Sequence, residues 1–166
     1  MKRFGLFFVF ALLLTLPSAV HAQIGIYGAV SGAALSSAPK DVGYGGMVGA
    51  YKQSGHFLAT GLDLRGTFLG REGFHYYTYA IGPRIAFKPR VLPISPYVEG
   101  MIGLANYNNG KNTNSSNHLN YQVLGGVDAT IMPRIDWRII DVAYSGVGGE
   151  SISAMTFSTG LVIRVW

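Results

Sequence analysis

After residue 22 the apolar residues of this chain stop running together and begin to alternate. Eight stretches, at 23–32, 42–52, 56–68, 75–88, 94–107, 118–131, 135–145 and 154–166, intersperse apolar residues with polar or small ones and are parted by Gly, Pro, Ser and Asn. Successive strand side chains point to opposite faces, so a period of two marks strands with unlike faces. In the third stretch Leu58, Leu62, Leu64 and Phe68 share a face against Asp63, Arg65 and Thr67. In the fourth, Tyr77, Tyr79, Ile81, Ile85 and Phe87 oppose Tyr76, Thr78, Gly82 and Arg84. In the sixth, Tyr121, Val123, Val127, Ala129 and Ile131 oppose Asn120, Gln122, Asp128 and Thr130. Helices fit poorly: the chain spends 23 of its 166 residues on Gly, and each Gly inside a helix costs roughly 1 kcal/mol relative to Ala.

A water-soluble barrel or sandwich hides the apolar faces, whereas a membrane barrel turns them to lipid and encloses the polar ones. Three features favour enclosure. Only 13% of residues are charged, about half the share of an average soluble domain. The polar faces carry single charges of both signs among small residues rather than runs of Lys and Glu. Glycines such as Gly61, Gly82, Gly103 and Gly126 fall on those faces, as the cramped interior of an eight-stranded barrel requires. Aromatic residues gather toward strand ends (Tyr27, Tyr44, Tyr51, Phe74, Tyr76, Tyr77, Phe87, Tyr97, Tyr107, Tyr121 and Tyr144), where interfacial girdles are expected. The fold expected is therefore an all-β, eight-stranded, antiparallel up-and-down transmembrane β-barrel over residues 23–166.

Residues 1–22 form a signal peptide by pattern. Lys2 and Arg3 precede an apolar core from Leu6 to Leu16, and Val20-His21-Ala22 ends it with a small-residue cleavage site. The uncharged stretch is interrupted by Pro17 and falls short of the roughly 20 residues a spanning helix needs. The chain has no cysteine, which excludes disulfides, thiolate chemistry and a cysteine-linked lipid anchor. Its net charge of +5 is dispersed without a basic run, so no nucleic-acid partner is expected. Links at 53–55, 89–93 and 132–134 are expected to be short, and those at 33–41, 69–74, 108–117 and 146–153 long. Such alternation places the short turns in the periplasm and the long loops outside.

The runs Gly82-Pro83-Arg84-Ile85-Ala86-Phe87, Pro96-Tyr97-Val98-Glu99-Gly100, Leu124-Gly125-Gly126-Val127-Asp128 and Trp137 to Tyr144, with the closing Ser158 to Trp166, resemble the small outer-membrane β-barrels of the OmpA-like and OmpX-like group. The resemblance covers most of residues 23–166, best in the second half. It implies a Gram-negative-type outer membrane, a mostly non-enzymatic role, and the outer-membrane lipids and barrel insertion machinery as partners of a monomeric chain. Members of the group usually end in an aromatic residue preceded by alternating apolar ones. Here Phe157, Leu161, Ile163 and Val165 with Trp166 make that insertion signal, which turns Arg164 inward.

The inward charges are the most specific feature: Asp63, Arg65, Arg84, Glu99, Asp128, Asp141 and Arg164. Ionised groups in a narrow lumen must pair, because an uncompensated buried charge costs several kcal/mol. Three arginines against four carboxylates describe a nearly neutral plug. The same residues would serve a narrow gated channel if the pairs opened. Some barrels of the resembled group acylate or deacylate lipid A with Ser, His and an acidic partner, and His56, His75 and His118 leave that reading open because a triad needs closeness only in space. A soluble lipocalin-like barrel binding a small apolar ligand is the remaining alternative. No metal or cofactor is expected: three separated histidines offer no ligand spacing.

Overall fold

In the computed structural model, the described residues are 22–35, 42–71, 74–89, 91–108, 117–148 and 153–165. Residues 1–21 of the expected signal peptide, most of the expected long loops and Trp166 lie outside them. Eight strands follow one another: β1 (Gln23–Leu35), β2 (Val42–Ser54), β3 (Leu58–Arg71), β4 (Phe74–Phe87), β5 (Ile94–Asn108), β6 (Asn117–Met132), β7 (Ile135–Val147) and β8 (Ser153–Arg164). Each pairs antiparallel with its neighbours in sequence, and β1 closes on β8 from Gly25↔Arg164 to Leu35↔Ala154. Closure leaves no open sheet edge, so every ladder N–H and C=O has a partner strand, as a chain in hydrocarbon requires. Among the described residues no helix is long and apolar enough to cross a membrane.

Most strands outrun the expected stretches, because an antiparallel ladder continues gaining backbone hydrogen bonds after side-chain alternation has faded, while β4 keeps its expected length and β8 stops at Arg164. The expected long link at 69–74 shrinks most, since β3 and β4 stay paired to Arg71↔Phe74. At the other end, β4–β5 is joined by residues 88–93, longer than a tight turn. The β2–β3 turn needs Gly55, whose φ of 132° is open to glycine. The β6–β7 turn instead forces Arg134 to a φ of 73°. A strand of 13 residues, as in β1, reaches roughly 43 Å at about 3.3 Å per residue, and a tilt of about 40° still leaves more than the roughly 30 Å of a hydrocarbon core.

The two faces are inverted relative to a soluble protein. Leu62 and Ile81 are 58% and 49% exposed on the outside, whereas the adjacent Asp63 and the neighbouring inward Arg84 are each 1% exposed. Val48, Leu64, Val98, Ile102, Val123 and Leu161 continue the outer belt. A soluble monomer rarely exposes a contiguous apolar patch of more than a few hundred Å², and this belt circles the molecule.

One irregularity sets the phase of the lumen. Between Arg138 and Asp141 the register of β7 slips against both β6 and β8, and Ile139 and Ile140 both face outward. This β-bulge returns Asp141 to the interior three positions after Arg138 rather than two or four. Its disrupted ladder frees the Arg138 carbonyl, which accepts a 2.9 Å hydrogen bond from Thr159 Oγ1. Trp137 Nε1 in turn donates to Thr159 at 3.2 Å. Replacing Thr159 by Val keeps the shape and removes the donor on the lipid-facing side. A loss of about 1–3 kcal/mol is expected, read as a lower urea midpoint in lipid vesicles and largely restored in Thr159→Ser.

Candidate functional site

Five strands supply the charges of the barrel interior. Arg65 and Asp63 come from β3, Arg84 from β4, Glu99 from β5, Asp128 from β6, and Arg138 and Asp141 from β7. Every one is buried. Arg65 grips Asp141 with both nitrogens, Nη1 to Oδ1 at 3.0 Å and Nη2 to Oδ2 at 2.8 Å, the fork geometry that makes Arg–carboxylate pairs strong. Arg84 donates to Glu99 through Nη1, to Asp128 Oδ2 through Nη2 at 2.9 Å, and to Gln53 Oε1 through Nε at 3.2 Å. Arg138 donates to both Asp128 oxygens, at 2.9 and 3.3 Å, and lies 3.8 Å from Asp141. Asp128 thus bridges Arg84 and Arg138, and Asp141 bridges Arg65 and Arg138.

Tyrosines bind the cluster into one layer. Tyr27 Oη donates to Asp63 Oδ1 at 2.7 Å and accepts from Arg65 Nε at 3.3 Å, while Tyr97 Oη donates to Asp141. The guanidinium of Arg84 lies 3.8 Å from the Tyr97 ring centroid and 4.4 Å from that of Tyr51, and Arg138 lies 4.1 Å from Tyr27 and 4.8 Å from Tyr97. Cations over aromatic faces in a dry interior gain up to about 2 kcal/mol each. Glycine makes this stacking fit. Tyr27 faces Gly49, Tyr51 faces Gly25, and Tyr97 faces Gly126 across the ladders. A Cβ on those glycines would come within 2.3–2.5 Å of the opposing tyrosine, so the rings lie flat on the wall and leave the axis to the arginines.

Three guanidiniums face four carboxylates in this layer. Asp63 Oδ2 and Glu99 Oε2 accept no hydrogen bond among the described residues, although Arg84 and Arg65 stand 3.8 and 3.6 Å away. Toward the long-loop end the lumen is lined by hydroxyls and amides: Ser31 meets Ser158 at 2.7 Å, and Gln122 donates to Asn120 at 2.8 Å and to Thr78 at 3.3 Å. A void of only ≈10 Å³ lies there, about the size of one water. Toward the short turns a cavity of ≈180 Å³ opens. The charged layer is a septum between the two.

Six of the seven charges expected inward meet in this septum: Asp63, Arg65, Arg84, Glu99, Asp128 and Asp141. Arg164 does not join them. It sits at the short-turn mouth, 26% exposed, on Asp136 at 3.0 Å, and Arg138 takes its place in the layer. Strict alternation from Asp141 puts Arg138 outside; only the bulge brings both in. Tyr27, Tyr51, Tyr76 and Tyr97, expected in the girdles, are instead buried in the lumen, because they lie on the inward phase of their strands. Tyr44, Tyr77, Tyr121, Tyr144 and Phe87 do face outward, whereas the side chains of Phe74 and Tyr107 lie outside the described set. Phe157, Leu161 and Ile163 on β8, and Val165 just past it, are exposed. The histidines stay apart: His56 is exposed beside the β2–β3 turn, His75 stacks on Tyr77 at 6.1 Å, and His118 lies half-buried opposite Ala105. Among the described residues no group of three His, Asp or Glu could hold a metal ion.

A closed eight-stranded up-and-down barrel with an apolar exterior and a charge-filled lumen defines the small outer-membrane barrel class, and this chain has that fold. Solved structures place it there in particular. The neisserial surface protein A superimposes with a TM-score of 0.58 at 18% identity, covering 86% of this chain and 96% of that one. Ail, the attachment invasion locus protein of Yersinia pestis, gives 0.53 at 17%, covering 86% and 97%. The outer membrane enzyme PagL gives 0.52 at 16%, covering 83% and 98%. No protein-family model matches the chain, and no curated protein matches it by sequence.

Proposed function

We propose that this chain is a non-enzymatic outer-membrane protein of the cell envelope, exported by residues 1–22 and serving a structural or surface-interaction role. Short turns face the periplasm and the longer loops the outside. The observation that carries the reading is the septum: Arg65, Arg84 and Arg138, clamped by carboxylates and stacked on Tyr27, Tyr51 and Tyr97, occupy the axis that a channel would leave to water. A lipocalin-like role needs an apolar calyx, and here the enclosed face is the charged one. The barrel should fractionate with outer membranes, require detergent for extraction, and migrate differently on a gel before and after boiling. In planar bilayers the wild-type chain is expected to give no steady conductance; regular ohmic steps would overturn the closed-lumen reading. The similarity to the outer membrane enzyme PagL, with the lipid A-modifying activity that the sequence resemblance implies for some barrels, makes an enzyme the reading to test against. With His75 and His118 in separate surroundings, replacing either by Ala is expected to leave lipid A acylation unchanged.

A further inference from the structure

The short-turn mouth gathers a second set of charges that the septum does not use. Its cavity of ≈180 Å³ is lined by, among others, Gln23, Gln53, Lys88, Ser95, Asp136 and Arg164, brought together from the ends of β1, β2, β4, β5, β7 and β8. Lys88, half-buried just past β4, donates to Gln23 Oε1, a neutral oxygen that also accepts from Gln53 Nε2 at 3.1 Å. Arg164 forms an ion pair with Asp136 Oδ1 at 3.0 Å through Nη2, which donates its hydrogen bond to Thr130 Oγ1 at 3.5 Å, but its buried Nε has no acceptor among the described residues. Asp136 Oδ1 is already shared with Thr130 Oγ1, at 2.7 Å. Two cations therefore share the mouth with one carboxylate, because Asp128, the other carboxylate lining the cavity, is already committed to Arg84 and Arg138. The crowding is felt at Lys88: burial, then the nearby Arg164 and Arg84 guanidiniums, hold its pKa below the ordinary lysine value, with Asp136 opposing.

We propose that this mouth binds a small oxyanion, a carboxylate or phosphate group, between the Lys88 ammonium and the Arg164 guanidinium. The ligand supplies the acceptor that Arg164 Nε lacks and the anion that Lys88 lacks, through charge-assisted hydrogen bonds. The cavity has room for such a group with several waters, since one water needs about 10–15 Å³ of such a void. This assignment is independent of whether the septum conducts.

The test uses the full barrel refolded in neutral detergent, with arginine side chains labelled with nitrogen-15. Inorganic phosphate and acetate are titrated at constant ionic strength. Arg164 Nε–H is expected to shift saturably while Arg138 in the septum does not. Lys88→Gln is expected to weaken phosphate binding about tenfold, one lost charge-assisted hydrogen bond. Asp136→Asn, which removes the competing carboxylate, is expected to tighten it by a similar factor. Gel heat-modifiability reports that each variant folds. A shift that grows linearly without saturating, or one that is the same in all three proteins, overturns the site. In phosphatidylglycerol nanodiscs, a shift before any anion is added names the lipid headgroup as the source; a shift only on addition names dissolved anion.

Discussion

Arg84→Met is expected to lower the stability of the barrel by about 3–5 kcal/mol, the usual penalty for removing one partner from a buried ion pair. Methionine keeps much of the stem volume between the Tyr51 and Tyr97 rings, so the loss reports charge rather than a cavity. Without the guanidinium, Glu99 loses its closest cation and retains Arg65 only at 3.6 Å. Asp128 keeps Arg138 at 2.9 Å. Four carboxylates then face two guanidiniums in a layer that excludes water. Urea unfolding in lipid vesicles, followed by tryptophan fluorescence and gel mobility, gives the number. Asp63→Asn provides the contrast. Asp63 belongs to the acidic excess and its Oδ2 accepts no hydrogen bond among the described residues, while an amide oxygen can still accept from Tyr27. Its change should stay below about 1 kcal/mol, and combining it with Arg84→Met should recover part of the loss because the two share one network. Equal losses for the two single variants would rule out the septum as a charge-balanced unit.

Period-two patterning makes the strands and their polarity readable in the sequence alone, because a single-residue slip exchanges lipid and lumen for every side chain. Asp63 and Arg65 on β3, and Arg84 on β4, are inward for that reason alone. Arg138 was not readable in the same way. It lies three positions from Asp141, an odd spacing that alternation assigns to opposite faces, and the bulge at Ile139–Ile140 that reconciles them leaves as its one clue two adjacent isoleucines. Tyr27, Tyr51 and Tyr97 failed for a different reason. Tyrosine suits both an interfacial girdle and a lumen hydrogen bond, so residue type could not decide, whereas the phase of the strand could have: Tyr27 lies two positions from Gly25 and Ala29, on the small-residue side of β1. The cross-strand glycine beneath each ring depends on register, which connects residues 22–29 positions apart and is invisible to any local pattern. Arg164 had the right face and the wrong depth. Alternation reports which side of the wall a residue is on, but not how far along the barrel it lies.

Depth is what Ile102→Arg would measure. Ile102 sits midway along β5, between Ile81 on β4 and Tyr121 on β6, and is 66% exposed on the outer face. Were that face wet, an arginine there would change stability by no more than about 0.5 kcal/mol. In a bilayer a guanidinium at the midplane of a barrel wall costs roughly 2–4 kcal/mol, and near the headgroups only about 0–1. Leu119→Arg, on the outer face near the long-loop end of β6, therefore serves as the shallow control. Refolded into vesicles and unfolded in urea, Ile102→Arg is expected to lose several times as much stability as Leu119→Arg. Lys52 already shows the tolerated extreme, a cation on the outer face of β2 close to the short turns. Should both arginines prove equally harmless, the apolar belt would be facing water and the inversion that turns Leu62 outward and Asp63 inward would need another cause.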